Sequence, residues 1–224
     1  MKHKTLFLLT CILALSMGKA LAQNENWGNK DTLTKHRINI GFGAEYGVVY
    51  SLGYGYKFKT KSIPIMAYLQ YSFPSGNKVF DDYKGKLGLQ ANLLLYRNFK
   101  ATANISGVYR RYSGDYVRLL NFGTDWSAIL GYYRKAWFVA GEVGFDKAIV
   151  TNFKHKQAYR NQFPGVVDGW YEPATGGNFY YGLQTGLSVK HHDIFIKAGK
   201  LLAQDFKTKP MLPFYGQIAY GYRF

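Results

Sequence analysis

The sequence predicts an all-β fold: an antiparallel up-and-down transmembrane β-barrel of about ten strands, with eight as the alternative. Three observations carry the prediction. From Ile38 onward apolar residues recur at every second position, a period that suits a strand with one apolar face and does not suit a helix. Beyond the first 22 positions there is no run of roughly 18 apolar residues, which removes spanning by helices but not by strands of about 9 to 11 residues. The chain also carries 20 Tyr, 16 Phe and 25 Gly among 224 residues, and the aromatics gather at the ends of the alternating segments. A secreted β-sandwich alternates too, but gives no reason for that gathering.

Residues 1–22 read as a secretory signal peptide. Lys2 and Lys4 precede an apolar stretch over 5–17, Gly18-Lys19 ends it, and Ala20-Leu21-Ala22 supplies a small-residue site for cleavage after Ala22. Cys11, the one cysteine, leaves with this segment, so the exported chain has no disulfide. Residues 23–36 are polar and read as a flexible N-terminal leader with Trp27 as its one anchor, and 37–224 as the barrel. Of 29 Lys and Arg three leave with the signal, against 13 Asp and Glu, so the exported protein is strongly basic. That charge suits nucleic acid, peptidoglycan or lipopolysaccharide phosphates without choosing among them.

In the first alternating stretch Ile38, Ile40, Phe42, Ala44 and Tyr46 oppose Asn39, Gly41, Gly43 and Glu45, and the pattern runs on through Val48, Tyr50, Leu52, Tyr54, Tyr56 and Phe58. It is about twice the length of a spanning strand, which places a tight turn near Tyr46-Gly47 and makes the strand number even. Residues 59–62 turn the chain into the third strand, Ile63 to Phe73, and 74–84 form a longer loop. The fourth strand shows Leu87, Leu89, Ala91, Leu93 and Leu95; Arg97-Asn98 is a tight turn; the fifth runs Phe99, Ala101, Ala103, Ile105 and Tyr109. After Ser113-Gly114-Asp115 the sixth strand carries Leu120, Phe122, Trp126, Ala128, Leu130 and Tyr132, and Arg134-Lys135 turns it into the seventh, Trp137 to Phe145. Residues 147–177 read as one long irregular segment. Phe179 to Val189 is the eighth strand, 191–193 a turn, and Ile194, Ile196 and Ala198 mark a ninth, whose Lys200 falls on the apolar face and must snorkel.

The connections at 59–62, 97–98, 134–135 and 191–193 are short, and those at 74–84, 147–177 and 203–212 are long, alternating as an up-and-down barrel requires. Tyr56, Phe58, Phe99, Tyr132, Trp137, Tyr222 and Phe224 fall at the short-turn ends, and Tyr46, Phe73, Tyr109, Phe122, Phe145, Phe179 and Phe214 at the long-loop ends, as two girdles.

The last strand places Phe214, Gly216, Ile218, Tyr220, Tyr222 and Phe224 on one face, against Tyr215, Gln217, Ala219, Gly221 and Arg223, and stops on Phe224. This ending resembles the final strand of bacterial outer-membrane β-barrel proteins. The resemblance implies the outer membrane of a Gram-negative bacterium, short turns on the periplasmic side, and Phe224 as part of the signal read by the barrel-assembly machinery.

Inward positions decide what such a barrel can do, because a small lumen is filled by its own side chains. Glu45, Lys57, Lys86, Lys100, Arg110, Asp125, Glu142 and Lys190 are the charged residues expected there. They make either a plug of paired charges, as buried ions require, or a narrow porin-like pore whose positive excess favours anions. Basic residues also crowd the long-loop side, at Lys78, Lys84, Arg110, Arg111, Lys154, Lys156, Arg160, Lys207 and Lys209, within reach of lipopolysaccharide phosphates. In the long segment, Arg160, Phe163, Trp170 and Tyr171 are expected to contact an extracellular or membrane partner from a lid folded over the opening, because aromatics beside an Arg are favoured in binding hot spots.

An enzyme is the third reading. Asp81-Asp82 offers one half of an omptin-like protease site, but His191-His192-Asp193 falls in a turn at the wrong end. His155 with Asp168 is a further pair in the long segment, and no H-x-S arrangement suggests a lipid A deacylase. Neither metal-ligand spacing, nor a cofactor motif, nor a nucleic-acid fold signature is present. The reading is therefore a non-enzymatic barrel of structural or binding type.

Overall fold

The computed structural model describes residues 25–29, 34–58, 60, 63–76, 81–174 and 176–224; the signal peptide expected at 1–22 and Lys78 lie outside them. The strands are β1 (His36–Ala44), β2 (Val48–Phe58), β3 (Ile65–Pro74), β4 (Asp82–Tyr96), β5 (Phe99–Ser113), β6 (Val117–Tyr133), β7 (Trp137–His155), β8 (Gly169–Tyr171), β9 (Gly177–Val189), β10 (His192–Ala203) and β11 (Phe214–Arg223), with a short helix α1 (Gln157–Gln162) between β7 and β8. All pairings are antiparallel. β9 follows β7 in the wall, and β1 pairs with β11 from Arg37↔Arg223 to Ala44↔Gly216, which closes a ten-stranded barrel. Closure leaves no strand edge unpaired within the wall, the condition for a sheet to cross a bilayer.

The alternation has the sense a membrane demands. Leu69, Leu87, Leu130, Val143, Leu183 and Leu187 are exposed on the outer face, while Asn39, Gln70, Gln90, Asn104, Asp125 and Gln184 are buried inside. An outer surface this apolar belongs in hydrocarbon. Rings form the upper and lower borders. At the short-turn end His36, Tyr56, Phe58, Tyr222 and Phe224 pack at 5.1 to 6.1 Å, with Phe99, Tyr132 and Trp137 further round. At the long-loop end a chain of contacts runs through Phe42, Tyr50, Phe73, Tyr71, Tyr83, Tyr109, Phe122 and Trp170.

The turn placed near Tyr46-Gly47 is present at 45–47, but Tyr46 is not a girdle residue. The bend interrupts the alternation, so its ring lies under the Arg110 guanidinium at 4.2 Å and its hydroxyl donates to Ser72 O at 3.0 Å. The segment read as irregular from 147 is strand as far as His155. A register shift after Phe122 leaves Ile149 unpaired on β6, with Ala148 opposite Gly123 and Val150 opposite Phe122. The extra residue reverses the in-out phase, which hides the strand from a period-two reading. The wall is uneven in height, with 17 residues in β6 and 19 in β7 against 9 in β1 and 10 in β11.

Candidate functional site

The lumen has two halves of different character. At the short-turn end the inner wall carries rings and long apolar side chains: Tyr133 stacks on Phe138 at 5.0 Å, Phe138 meets Phe195 at 5.9 Å, and Met66 and Ile129 join them, all buried. Gly186 makes the space, since a Cβ there would lie 2.5 Å from Phe138 and 2.6 Å from Phe195. The N-terminal leader completes this layer. The expectation of a flexible 23–36 segment fails at Glu25, Asn26 and Trp27, which are buried in the barrel. Glu25 pairs with Arg37 and Lys57, Asn26 donates to Ser188 Oγ at 2.9 Å and Lys135 O at 3.2 Å, and Lys100 donates to Trp27 O. Trp27 covers apolar lumen surface, and the lumen in turn supplies counter-charges for the leader.

Arg37 also bonds Asp193, which takes a second guanidinium from Arg223 at 2.8 Å, while Arg37 lies over the Phe195 ring at 4.7 Å. A hollow at the short-turn mouth is lined by Lys100, Tyr133 and Ser188 among others, and a second cavity lies in the other half.

Towards the long-loop end the lumen widens into a funnel. A cavity of about 170 Å3 is lined by Glu45, Lys86, Asp125, Glu142, Tyr180 and Tyr215 and leads into a wider one of about 360 Å3 bounded by Arg110, Asn121, Asp146, Lys147 and Phe153. The charges are matched: Lys84 with Glu45 at 2.9 Å, Lys86 with Asp125 at 2.5 Å, and Arg110 with both oxygens of Asp82 at 3.0 and 3.1 Å. Tyr215 and Gln184 donate to Glu142 at 2.5 and 3.1 Å, and Tyr180 donates to Asp125 at 2.8 Å.

Above the wall, residues 156–171 form a flap. Its strand β8 pairs with Thr151, Asn152 and Phe153 of β7, continuing the sheet above the point where β9 leaves it. Asp168 holds the turn, accepting from the His155 backbone at 2.8 Å, meeting the His155 ring at 3.0 Å and binding Arg160 at 2.6 Å. These bonds hold its carboxyl below the usual range, the His155 backbone N–H contributing most. The helix touches the β5–β6 turn through Tyr159 and Tyr116, with ring centroids 6.3 Å apart. The segment is folded, but its strand lines up along β7 and does not cross the opening, because the free edge of β7 offers backbone partners.

Of the partner-contact residues, Phe163 and Arg160 sit on this flap, and Tyr171 borders a hollow of about 500 Å3 with Phe153, Val166, Val167 and Pro173. Trp170 faces outward and touches Phe122 at 6.0 Å, which makes it a girdle residue. Among the lumen residues, Glu45, Lys57, Lys86, Lys100, Arg110, Asp125 and Glu142 point inward. Lys190 is exposed at the β9–β10 hairpin with φ 53°, where it lines the hollow at the short-turn mouth. Lys84 and Arg110, expected also at the rim, are committed to lumen pairs.

His155 and Asp168 are brought together, with Arg160 as their third partner. His191, His192 and Asp193 serve the short-turn end, where His191 Nδ1 lies 3.1 Å from Arg223 O and His192 Nδ1 2.6 Å from the Tyr220 hydroxyl. No group of three or more metal-ligating side chains occurs among the described residues. Phe224 closes the β1–β11 seam with a reciprocal pair of backbone bonds to His36 at 2.9 Å.

No family model matches the sequence, and no curated protein matches it. Among solved structures the chain is similar to the KdgM porin, with a TM-score of 0.43 at 8% identity over 84% of this chain and 99% of that one. It is also similar to the CymD monoaromatic hydrocarbon channel, with a TM-score of 0.34 at 7% identity over 93% and 95% of the two chains. Likeness at this level assigns neither a family nor a ligand.

Proposed function

We propose that the chain is an outer-membrane barrel of structural or binding type, closed to ion flow on its periplasmic side and presenting the funnel and flap outward. The supporting observation is the dry layer across the short-turn half, in which Phe138, Phe195, Arg37 and Arg223 are at most 2% exposed and Trp27 of the leader packs among the rings. Short turns mark the periplasmic end of such barrels, which puts the leader there and the flap outside. An anion-selective pore would need unpaired cations along an open path. Here Lys84, Lys86 and Arg110 each face a carboxylate, which offsets those three charges. The flap, with its apolar hollow between Val167 and Tyr171, is the surface offered to an external partner.

Planar-bilayer recording tests this. Reconstituted protein should insert without discrete conductance steps, while an inserted porin run in parallel gives them. Steps with anion selectivity from the intact chain would replace the plug with the channel.

A further inference from the structure

The tall part of the wall carries an unmatched cluster of cations on its outer face. Tyr83, Tyr109, Phe122 and Trp170 form the ring border there, with centroids 5.2 to 6.0 Å apart, and such a border sits at the level of lipid headgroups. Just beyond it, Arg111 stands opposite Leu120 and Tyr83, and Arg118 stands opposite Lys154. Because Ser113 pairs with Arg118, Arg111 is its diagonal neighbour. Opposed side chains in a sheet start about 4.5–5.5 Å apart and diagonal ones about 7–8 Å, and like charges so placed repel.

Arg111, Arg118 and Lys154 take part in none of the salt bridges among the described residues. The Nε atoms of both arginines are covered and unbonded. The carboxylates of Asp82, Asp125, Glu142 and Asp146 on the same strands border the funnel or pair inside it.

We propose that Arg111, Arg118 and Lys154 form a site on the outer wall for the phosphate of an anionic lipid headgroup. Two arginines and a lysine occupy neighbouring positions on three adjacent strands, and guanidinium forks suit phosphate oxygens. The occupant is lipid-borne because the rings immediately below seat acyl chains. This site does not depend on whether the lumen conducts.

The test uses folded protein in detergent, titrated with a diphosphorylated lipid A, the same lipid without its phosphates, and inorganic phosphate, with bound lipid counted by native mass spectrometry. Wild type should prefer the phosphorylated lipid by about tenfold or more, a preference consistent with charge-assisted hydrogen bonds. The double variant Arg111→Gln/Arg118→Gln should lose the preference and Lys154→Gln should weaken it, while Lys200→Gln, on β10 away from the patch, should keep it. Equal binding of the two lipids by wild type overturns the site, as does an unchanged preference in the double variant. Inorganic phosphate displacing the lipid at equal concentration overturns its lipid-borne character. Heat-modifiable migration shows whether the double variant folds; if it does not, the wild-type comparison and Lys154→Gln decide.

Discussion

The two halves of the lumen share the same strands and the same inner face, yet one is dry and the other wet. At the short-turn end Arg37, Arg223 and Asp193 are at most 2% exposed and are walled in by Phe138, Phe195 and Trp27. At the long-loop end Arg110 and Asp82 keep side chains that are 35% and 20% exposed, and the charges are spaced by water-accessible volume. Both halves use ion pairs. What differs is whether rings and the returning leader exclude water around them, and that decides how much each pair matters. Loss of Arg37 leaves Glu25 to Lys57 and Asp193 to Arg223 where little solvent can replace it; at the exposed Arg110–Asp82 pair solvent takes the place of the guanidinium, while Lys86 and Asp125 deeper in the funnel are buried.

The largest expected effect contrasts the two guanidiniums. Arg37→Ala leaves Glu25 and Asp193 without their shared partner and should lower stability by about 3–5 kcal/mol, read as a shift in the urea midpoint of the lipid-reconstituted barrel. Arg110→Ala, in the open funnel, should cost about 1 kcal/mol or less. Equal losses would erase the distinction between the halves.

A smaller effect comes from adding one methyl group. Gly186→Ala drives a Cβ into Phe138 and Phe195 and should cost about 1–3 kcal/mol, whereas Gly107→Ala has nothing within 4 Å and should stay within about 0.5 kcal/mol. A tolerated Gly186→Ala would mean that the ring layer is loosely packed.

The smallest effect is local to the flap. Because the carboxyl of Asp168 titrates below its ordinary value of about 4, its bonds to His155 and Arg160 contribute above that value and are lost as pH falls through the lowered one. Hydrogen exchange in 156–168 should therefore quicken in acid while the barrel strands stay protected, and Asp168→Asn should show the quickening at neutral pH. A flap equally protected throughout would show that β8 pairing alone holds it.

The barrel is legible in the residues alone. Period-two alternation survives in almost every strand because one face must meet lipid, and that requirement acts on each strand separately, so strand number, turn polarity and most inward charges could be read without coordinates. Sequence also exposed the candidate charges but not their grouping, since pairs such as Lys86 with Asp125 are set by register across two intervening turns. The features that break the alternation were decided only by tertiary structure. One extra residue at Ile149 reversed the phase of β7, hiding both its upper half and the outward face of Trp170. Phe138 and Phe195 lie on the inner face, where a polar residue is the default, and only the approach of β7 to β10 across Gly186 makes them a core. The leader looked loose because its polar residues carry no periodicity; Glu25 and Asn26 are ordered by partners found on β1, β2 and β9, whose proximity exists only once the barrel has closed.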